Sequence, residues 1–206
     1  MPVRNRLSKT VNLNLMQEKH RLIFYPDTIL RKKTEDITDL TPSILRFIDK
    51  MKEVCAQKKG LGIAAPQVNE SLSIFLTPIT GTNIKTKDPI YAKDLKDWTV
   101  IINPRVLSFS KEAVGYEEGC LSLPKLYSTV FRPKTIEVSF LDSQLKVHKK
   151  VLSHWFARLF LHEYDHLQGI LFTDYLLGKI SNGFEQTADF EEKLRLSEAL
   201  QNFEAL

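Results

Sequence analysis

His162-Glu163-Tyr164-Asp165-His166 sits inside an apolar run, and the reading of that run decides the fold. Trp155, Phe156, Leu159, Phe160, Leu161 and Leu167 surround the pentad on most sides of a helical wheel. A helix apolar nearly all round is a buried helix. The spacing predicts one from about His154 to Gln168, with Ser153 as cap and Gly169 as stop. Positions four apart share a helix face, so both histidines can hold one metal ion, and Glu163 projects beside it where a general base would stand. Burying His162, Glu163, Asp165 and His166 without partners would be costly, and a metal relieves that cost. Tyr164 and Asp165 are left open between supporting and surface roles.

Outward from this helix the pattern changes. Thr41 can cap a helix over 41–58, with Pro42 at its first position and Gly60 as a stop shortly after its end. Ile44, Leu45, Phe47, Ile48, Met51, Val54 and Cys55 fall on one face, so Cys55 reads as a core residue. Leu72–Thr77, Thr99–Asn103, Tyr127–Phe131 and Thr135–Leu141 are rich in branched and aromatic residues and read as strands. Asp142-Ser143-Gln144 predicts a hairpin turn into Leu145–His148. Thr80–Asp97 is polar and reads as a surface loop. A last helix is expected over Ala188–Leu206, with Phe190, Leu194, Leu200 and Phe203 as its apolar side. The fold class is α+β: mixed or antiparallel sheets wrapped around the buried central helix, with one helix in the N-terminal half and one at the C-terminus.

Composition sets bounds. The 206 residues, 43% hydrophobic, suit one domain with an appendage. No stretch approaches the roughly 20 apolar residues that span a bilayer, so no membrane partner is expected. Net charge is +4, but residues 184–206 carry −4 and the rest +8. Solvated surface is the simpler account, with proximity to nucleic acid the weaker one and no sequence-specific nucleic-acid partner expected. Two cysteines make no disulfide framework and fit a reducing compartment. Met1 to Lys9 holds Arg4, Arg6 and Lys9 without an acid or an apolar core. That excludes a secretory signal; the composition is that of an organelle-targeting segment, but the stretch is short and only weakly amphipathic, so a flexible or a strand-forming terminus is the favoured expectation.

A catalytic metal needs a third protein ligand and an open position. Cys120, His148, His154 and His20 are the candidates besides scattered carboxylates. Cys120 follows Glu118-Gly119, where glycine permits a tight backbone. Gly60-Leu61-Gly62-Ile63-Ala64-Ala65-Pro66-Gln67 formally matches a dinucleotide fingerprint. A helix precedes it and Pro66 follows, so that reading fails. What remains is a glycine turn into an apolar strand, or a loop that approaches a substrate with Gln67 as an amide donor.

GLGIAAPQ at 60–67, EGCLS at 118–122 and HEYDH at 162–166 together resemble the peptide deformylase family, marked by these three motifs in this order. Tyr25-Pro26-Asp27 to Leu30-Arg31-Lys32 and Ile102-Asn103-Pro104 are also similar, and the resemblance covers roughly residues 21–177. It implies a hydrolase that removes formyl from N-terminal formylmethionine of nascent chains and releases formate. It implies Cys120, His162 and His166 as metal ligands with water as the fourth, holding ferrous iron, with zinc, nickel or cobalt able to occupy the site. Glu163 would move the proton, and Gln67 with the Leu121 N–H would stabilise the oxyanion. Gly60, Leu61, Gly62, Glu118 and Gly119 would hold the peptide like an added strand. Tyr116, Trp155 and Leu159 are expected around the methionine side chain. The domains implied are an extension over 1–20, a catalytic domain over 21–180 and a helical tail over 181–206. The ribosome would be a transient partner, and the location bacterial cytoplasm or, alternatively, mitochondrion or plastid. Leu161, where glutamine is common, and Tyr127, where some members place arginine, depart from the family pattern.

Two rivals stand beside this reading. A zinc peptidase of the HExxH kind would take a downstream histidine or glutamate as third ligand, and Glu185 and Asp189 fall in a tail helix. A binding-only homologue would be expected to have lost Gln67, Cys120, Glu163 or a histidine, and all are present.

Overall fold

The structure is a computed structural model that describes residues 20–77, 98–181, 183–186 and 188–205. The stretch 80–97, most of the 1–20 extension and the Phe190 side chain lie outside the described residues. In chain order the elements are α1 (Pro42–Gln57), β1 (Ile63–Ala64), β2 (Ile74–Thr77), β3 (Thr99–Phe109), β4 (Ala113–Cys120), β5 (Leu123–Pro133), β6 (Thr135–Leu141), β7 (Val147–Ser153), α2 (Trp155–Leu167), α3 (Phe172–Leu176) and α4 (Phe190–Glu204). Short 3₁₀ turns occupy Thr28–Arg31 and Ala65–Val68. The fold is α+β. One antiparallel sheet has the order β1-β2-β3-β6-β7, and β4 and β5 form a second antiparallel pair.

Local chemistry explains the main elements. Thr41 caps α1 by accepting from the Ile44 N–H at 3.3 Å. The helix buries Phe47, Ile48, Met51, Val54 and Cys55 against Ile63, Ile74, Leu76 and Ile102 of the sheet. Each such side chain contributes about 1.5–3 kcal/mol of transfer free energy. On the other side of the sheet Phe75 meets Phe160 of α2 edge to face at 5.1 Å, among Ile101, Ile136, Val138 and Ala157. In β3, Pro104 has no N–H to give, and the register with β6 shifts between Ile102 and Arg105. Asn103 uses the break to hydrogen-bond both the N–H (2.8 Å) and the carbonyl (2.7 Å) of Ile37.

Several expectations need correction. The strand expected from Leu72 starts at Ile74, and Leu72 makes only an isolated bridge to Glu35. The expected strands over 99–103 and 127–131 are parts of longer β3 and β5. The strand after the hairpin starts at Val147, because Asp142 accepts from the N–H groups of Gln144 and Lys146 and widens the turn. Ser153 is not a helix cap. It ends β7 opposite Thr135, their hydroxyls 3.0 Å apart, and His154 (φ 55°) precedes α2 without a side-chain cap bond. Gly60 follows α1 shortly after its end and closes it by donating to the Cys55 carbonyl at 2.9 Å, but Lys59 (φ 55°) takes the left-handed step. Gly169 (φ 73°) does follow α2 as expected, and a Cβ there would sit 2.5 Å from the Arg31 carbonyl. Of β4 only the end at Cys120 was expected, from the residues that flank it, and helix α3 was not anticipated.

Helix α4 docks on the body. Asp189 caps it by accepting from the Glu192 N–H at 2.8 Å. Leu196 and Leu200 are buried in a cluster with Tyr25, Leu126, Val130 and Tyr175, and Ala199 and Phe203 pack at its edge. Leu194, expected on the apolar side, is exposed. Tyr25 hydrogen-bonds Glu204, Ser128 hydrogen-bonds Glu192, and Arg195 donates to the Tyr127 carbonyl at 3.1 Å.

Candidate active site

Three segments meet at one cavity of about 640 Å³. The first is the loop Gly60–Gly62 and the 3₁₀ turn carrying Gln67. The second is the end of β4, where the register with β5 shifts between Gly119 and Cys120. That shift aims Cys120 inward from a strand end, as bulges do. The third is α2, which presents His162, Glu163 and His166 on adjoining turns.

The ligand atoms of Cys120, His162 and His166 all lie within 4.8 Å of one another, and they form the sole cluster of this kind among the described residues. The Cys120 Sγ is 3.3 Å from His166 Nε2. The other candidate ligands are placed elsewhere. His148 pairs with Asp142 at 2.6 Å, His20 pairs with Glu70 at 3.0 Å, and His154 sits 3.5 Å from the Tyr116 hydroxyl.

Glu118 is the organising acid of the site. One oxygen receives the His162 Nδ1 at 2.9 Å, which leaves the other ring nitrogen free to face the cluster. Arg132 binds the same carboxylate twice, at 2.6 and 3.0 Å, and Arg158 bonds it as well. Glu118 was expected to hold peptide; its carboxylate is consumed by these partners, so its side chain orients His162 instead. Burial acts to raise its carboxyl, but Arg132 and His162 hold it well below the usual range. Arg132 also donates to Asp165 at 2.6 Å, and the Tyr175 hydroxyl donates to the same carboxylate at 2.9 Å. Asp165 is therefore a buried support of the helix, while Tyr164 stacks on Phe160. Sequence reasoning missed Arg132 and Arg158. The signal was there: Arg132 sits at an inward position of an alternating strand, where only a buried partner makes sense.

Glu163 is buried, and its Oε2 has no hydrogen-bond partner in the protein. Burial pushes its carboxyl up to about 7, with His162 opposing and Glu118 adding to the rise. Gly62 leaves room for it: a Cβ at that position would collide with the Glu163 carboxylate. Gln67 is buried, accepts from the Ala64 N–H at 2.9 Å, and points its amide N–H group at Cys120 Sγ (3.4 Å) and Ser122 Oγ (3.2 Å). Leu121, Gly60, Leu61, Gly119, Trp155 and Leu159 line the cavity. Tyr116 does not; it backs Trp155 edge to face at 5.9 Å, with Arg158 over its ring. Cys55 is a buried free thiol bonded to the Gly62 carbonyl at 3.4 Å, as expected of a core residue.

The residues fit a metal. One thiol and two imidazoles suit a borderline divalent ion. The unpartnered Glu163 Oε2 and His166 Nδ1 are orphans that a protein rarely buries without purpose. Burial, with the His162 charge adding, holds His166 well below its ordinary value, in the neutral form a ligand requires.

The chain is similar to known proteins along most of its length. The family model for polypeptide deformylase matches residues 19–180. The peptide deformylase of Borreliella burgdorferi is 36% identical over 161 residues, covering 78% of this chain and 90% of that protein. Peptide deformylase 1B, chloroplastic/mitochondrial, of Arabidopsis thaliana is 31% identical over 173 residues, 84% of this chain and 60% of that one. A crystal structure of a plant peptide deformylase superposes with a TM-score of 0.74 at 28% identity, covering 90% and 89% of the two chains. A Plasmodium falciparum peptide deformylase in complex with an inhibitor gives 0.71 at 28% identity, covering 90% and 100%.

Proposed function

Since the chain belongs to the polypeptide deformylase family, we propose how its own residues carry out that reaction. It is a hydrolase that removes formyl from the N-terminal formylmethionine of nascent polypeptides. The observation that carries the reading is the buried Glu163 carboxylate beside the Cys120, His162 and His166 cluster, open to one cavity.

Cys120, His162 and His166 would hold the metal, with Glu118 fixing the His162 ring. A divalent ion there supplies Lewis acidity that makes a water molecule more acidic. Glu163, a buried carboxylate with no hydrogen-bond partner at Oε2, stands where it can take that water's proton and give it back. The water oxygen adds to the formyl carbon. Charge builds on the formyl oxygen, where the Gln67 amide and the Leu121 backbone N–H would receive it. The C–N bond breaks, the proton passes from Glu163 to the amine, and formate leaves with a free methionine amino group on the peptide.

Gly60, Leu61, Gly62 and Gly119 all line the cavity and would hold the peptide backbone like an added strand. Trp155 and Leu159 would meet the methionine side chain, with Tyr116 bracing Trp155. We read α2 as the centrepiece the sheets wrap, residues 21–180 as the catalytic domain and 181–206 as a tail. Iron is our proposed ion, with zinc, nickel or cobalt as substitutes. The ribosome is the proposed transient partner. No helix among the described residues is long and apolar enough to cross a membrane. We place the protein in a bacterial cytoplasm, with an organelle as the alternative that the plant relative's name supports.

The test is formate release from formyl-Met-Ala-Ser by anaerobically purified protein, with metal measured on the same sample. About one ion per chain, lost together with turnover in Cys120→Ala, supports the assignment. A Cys120→Ala variant that keeps its metal would return the site to the peptidase reading.

A further inference from the structure

The catalytic groups account for the deep end of the cavity, and a different chemistry stands at its mouth. Exposure rises away from the reacting end along two segments. Gly62 is buried against Glu163, Leu61 and Gly60 are half-buried, and Lys59 and Lys58 are exposed. Facing them, Cys120 is buried, and the chain opens to solvent through Pro124, Lys125 and Tyr127. All these residues line the same cavity. The mouth therefore carries three ammonium groups against one exposed carboxylate, Glu117, since Glu118 and Glu163 lie buried. Among the described residues no carboxylate is paired with Lys58, Lys59 or Lys125.

The fold does not ask for lysine there. Lys59 (φ 55°) and Lys125 (φ 64°) hold left-handed backbone, where glycine or asparagine is the usual choice. Two solvent-facing positions that favour small residues both carry a long cation, and both line one opening.

We propose that this mouth reads charge in the peptide, favouring acidic side chains in the two residues that follow the formylmethionine; the proposal rests on the deformylase reading of the cavity. An extended chain rises about 3.3 Å per residue. The residues after methionine then leave the reacting end and pass between Lys58–Lys59 and Pro124–Lys125. A carboxylate in either position meets cations from both walls. An ammonium group there meets three like charges and Glu117 alone. Tyr127 and Phe24, both exposed at the rim, give the methylenes of such side chains an apolar rest.

The experiment compares kcat/KM for formyl-Met-Glu-Glu, formyl-Met-Ala-Ala and formyl-Met-Lys-Lys on the metal-loaded enzyme at low and high salt. Contacts at exposed positions are individually weak, so the glutamate peptide should exceed the lysine peptide about three- to tenfold at low salt. Screening contracts to about 3 Å at 1 M salt, so that ratio should fall towards one there. The variant Lys59→Asn/Lys125→Asn keeps residues that tolerate left-handed backbone and should flatten the ratio at low salt. Equal or reversed ratios in the unaltered protein overturn the proposal, and so does a ratio that survives in the asparagine variant. The salt titration decides the matter on the unaltered chain even if the variant folds poorly. Failure of the neutral peptide formyl-Met-Ala-Ala to turn over is a separate outcome: it overturns the deformylase reading, and the charge preference with it.

Discussion

At the scale of single residues, the site depends on carboxylates whose surroundings pull them apart. Glu118 is tied to two guanidinium groups and a histidine, and stays ionised. Glu163, in the same cavity, has no hydrogen-bond partner at Oε2 and is pushed up to about 7. That difference has a measurable sign. In the metal-free protein the folded state holds the Glu163 proton up to about pH 7, while the unfolded chain releases it near 4.5. Folded protein binds the extra proton in that window, so stability falls as pH rises through it and stays lost above it. The gap corresponds to about 3 kcal/mol. Glu163→Gln cannot ionise and should gain on the unaltered protein by about that much between pH 5 and 8, read from urea unfolding in chelator. A difference between the two proteins that does not change with pH would remove burial as the cause. The same variant should lose turnover at least about a hundredfold. Cys120, His162, Glu163, His166 and Gln67 were legible as candidates because chemistry-bearing residues stood at telling spacings. Arg132 and Arg158 were not, because an arginine at a core position acquires meaning only when its distant acid is known.

At the scale of elements, helices were read better than strands, for a physical reason. The face of α1 was legible because most of its apolar residues recur on one side, although Leu45, read as part of that face, is exposed. Strand β4 was legible only at its end, Cys120, because Ala113–Cys120 holds two glycines and two glutamates and few branched or aromatic residues. Its order comes from across the pair: the Phe131 ring lies over Gly115 and the Tyr127 ring over Gly119, where a Cβ would collide. The tail helix α4 was expected, but its buried side was misassigned. Apolar residues occur on more than one of its faces, and only the surface it docks on selects among them. Leu196 and Leu200 are buried in the cluster with Val130 and Tyr175, and Leu194 faces water at 48% exposure. Leu200→Ala should therefore cost about 2–5 kcal/mol, while Leu194→Ala should stay within about 0.5 kcal/mol of the unaltered protein. Urea midpoints of the two variants test this directly. Equal effects would mean that α4 does not dock through this face in solution.

At the scale of the whole molecule, the metal ligands come from separate parts of the fold. Cys120 ends a strand of the two-stranded sheet, and His162 and His166 lie on the helix packed against the five-stranded one. An ion bound by all three would cross-link the two sheets through α2. It would also give the orphaned Glu163 and the buried thiol a counter-charge. Anything that binds the folded state alone stabilises it by mass action, by about 2.7 kcal/mol at a hundred times its dissociation constant. For a chain of this size each kcal/mol moves the melting temperature by about 2–4 °C. Stripping the ion with chelator should therefore lower Tm by about 5–10 °C in the unaltered protein. In Cys120→Ala the chelator should change Tm little, since the ligand set is already broken. Glu163→Gln should keep the whole shift, because Glu163 is assigned to the proton and not to the ion. Calorimetry on the three proteins with and without chelator separates these roles. Loss of the shift in Glu163→Gln would make that carboxylate a ligand and leave the reaction without its base.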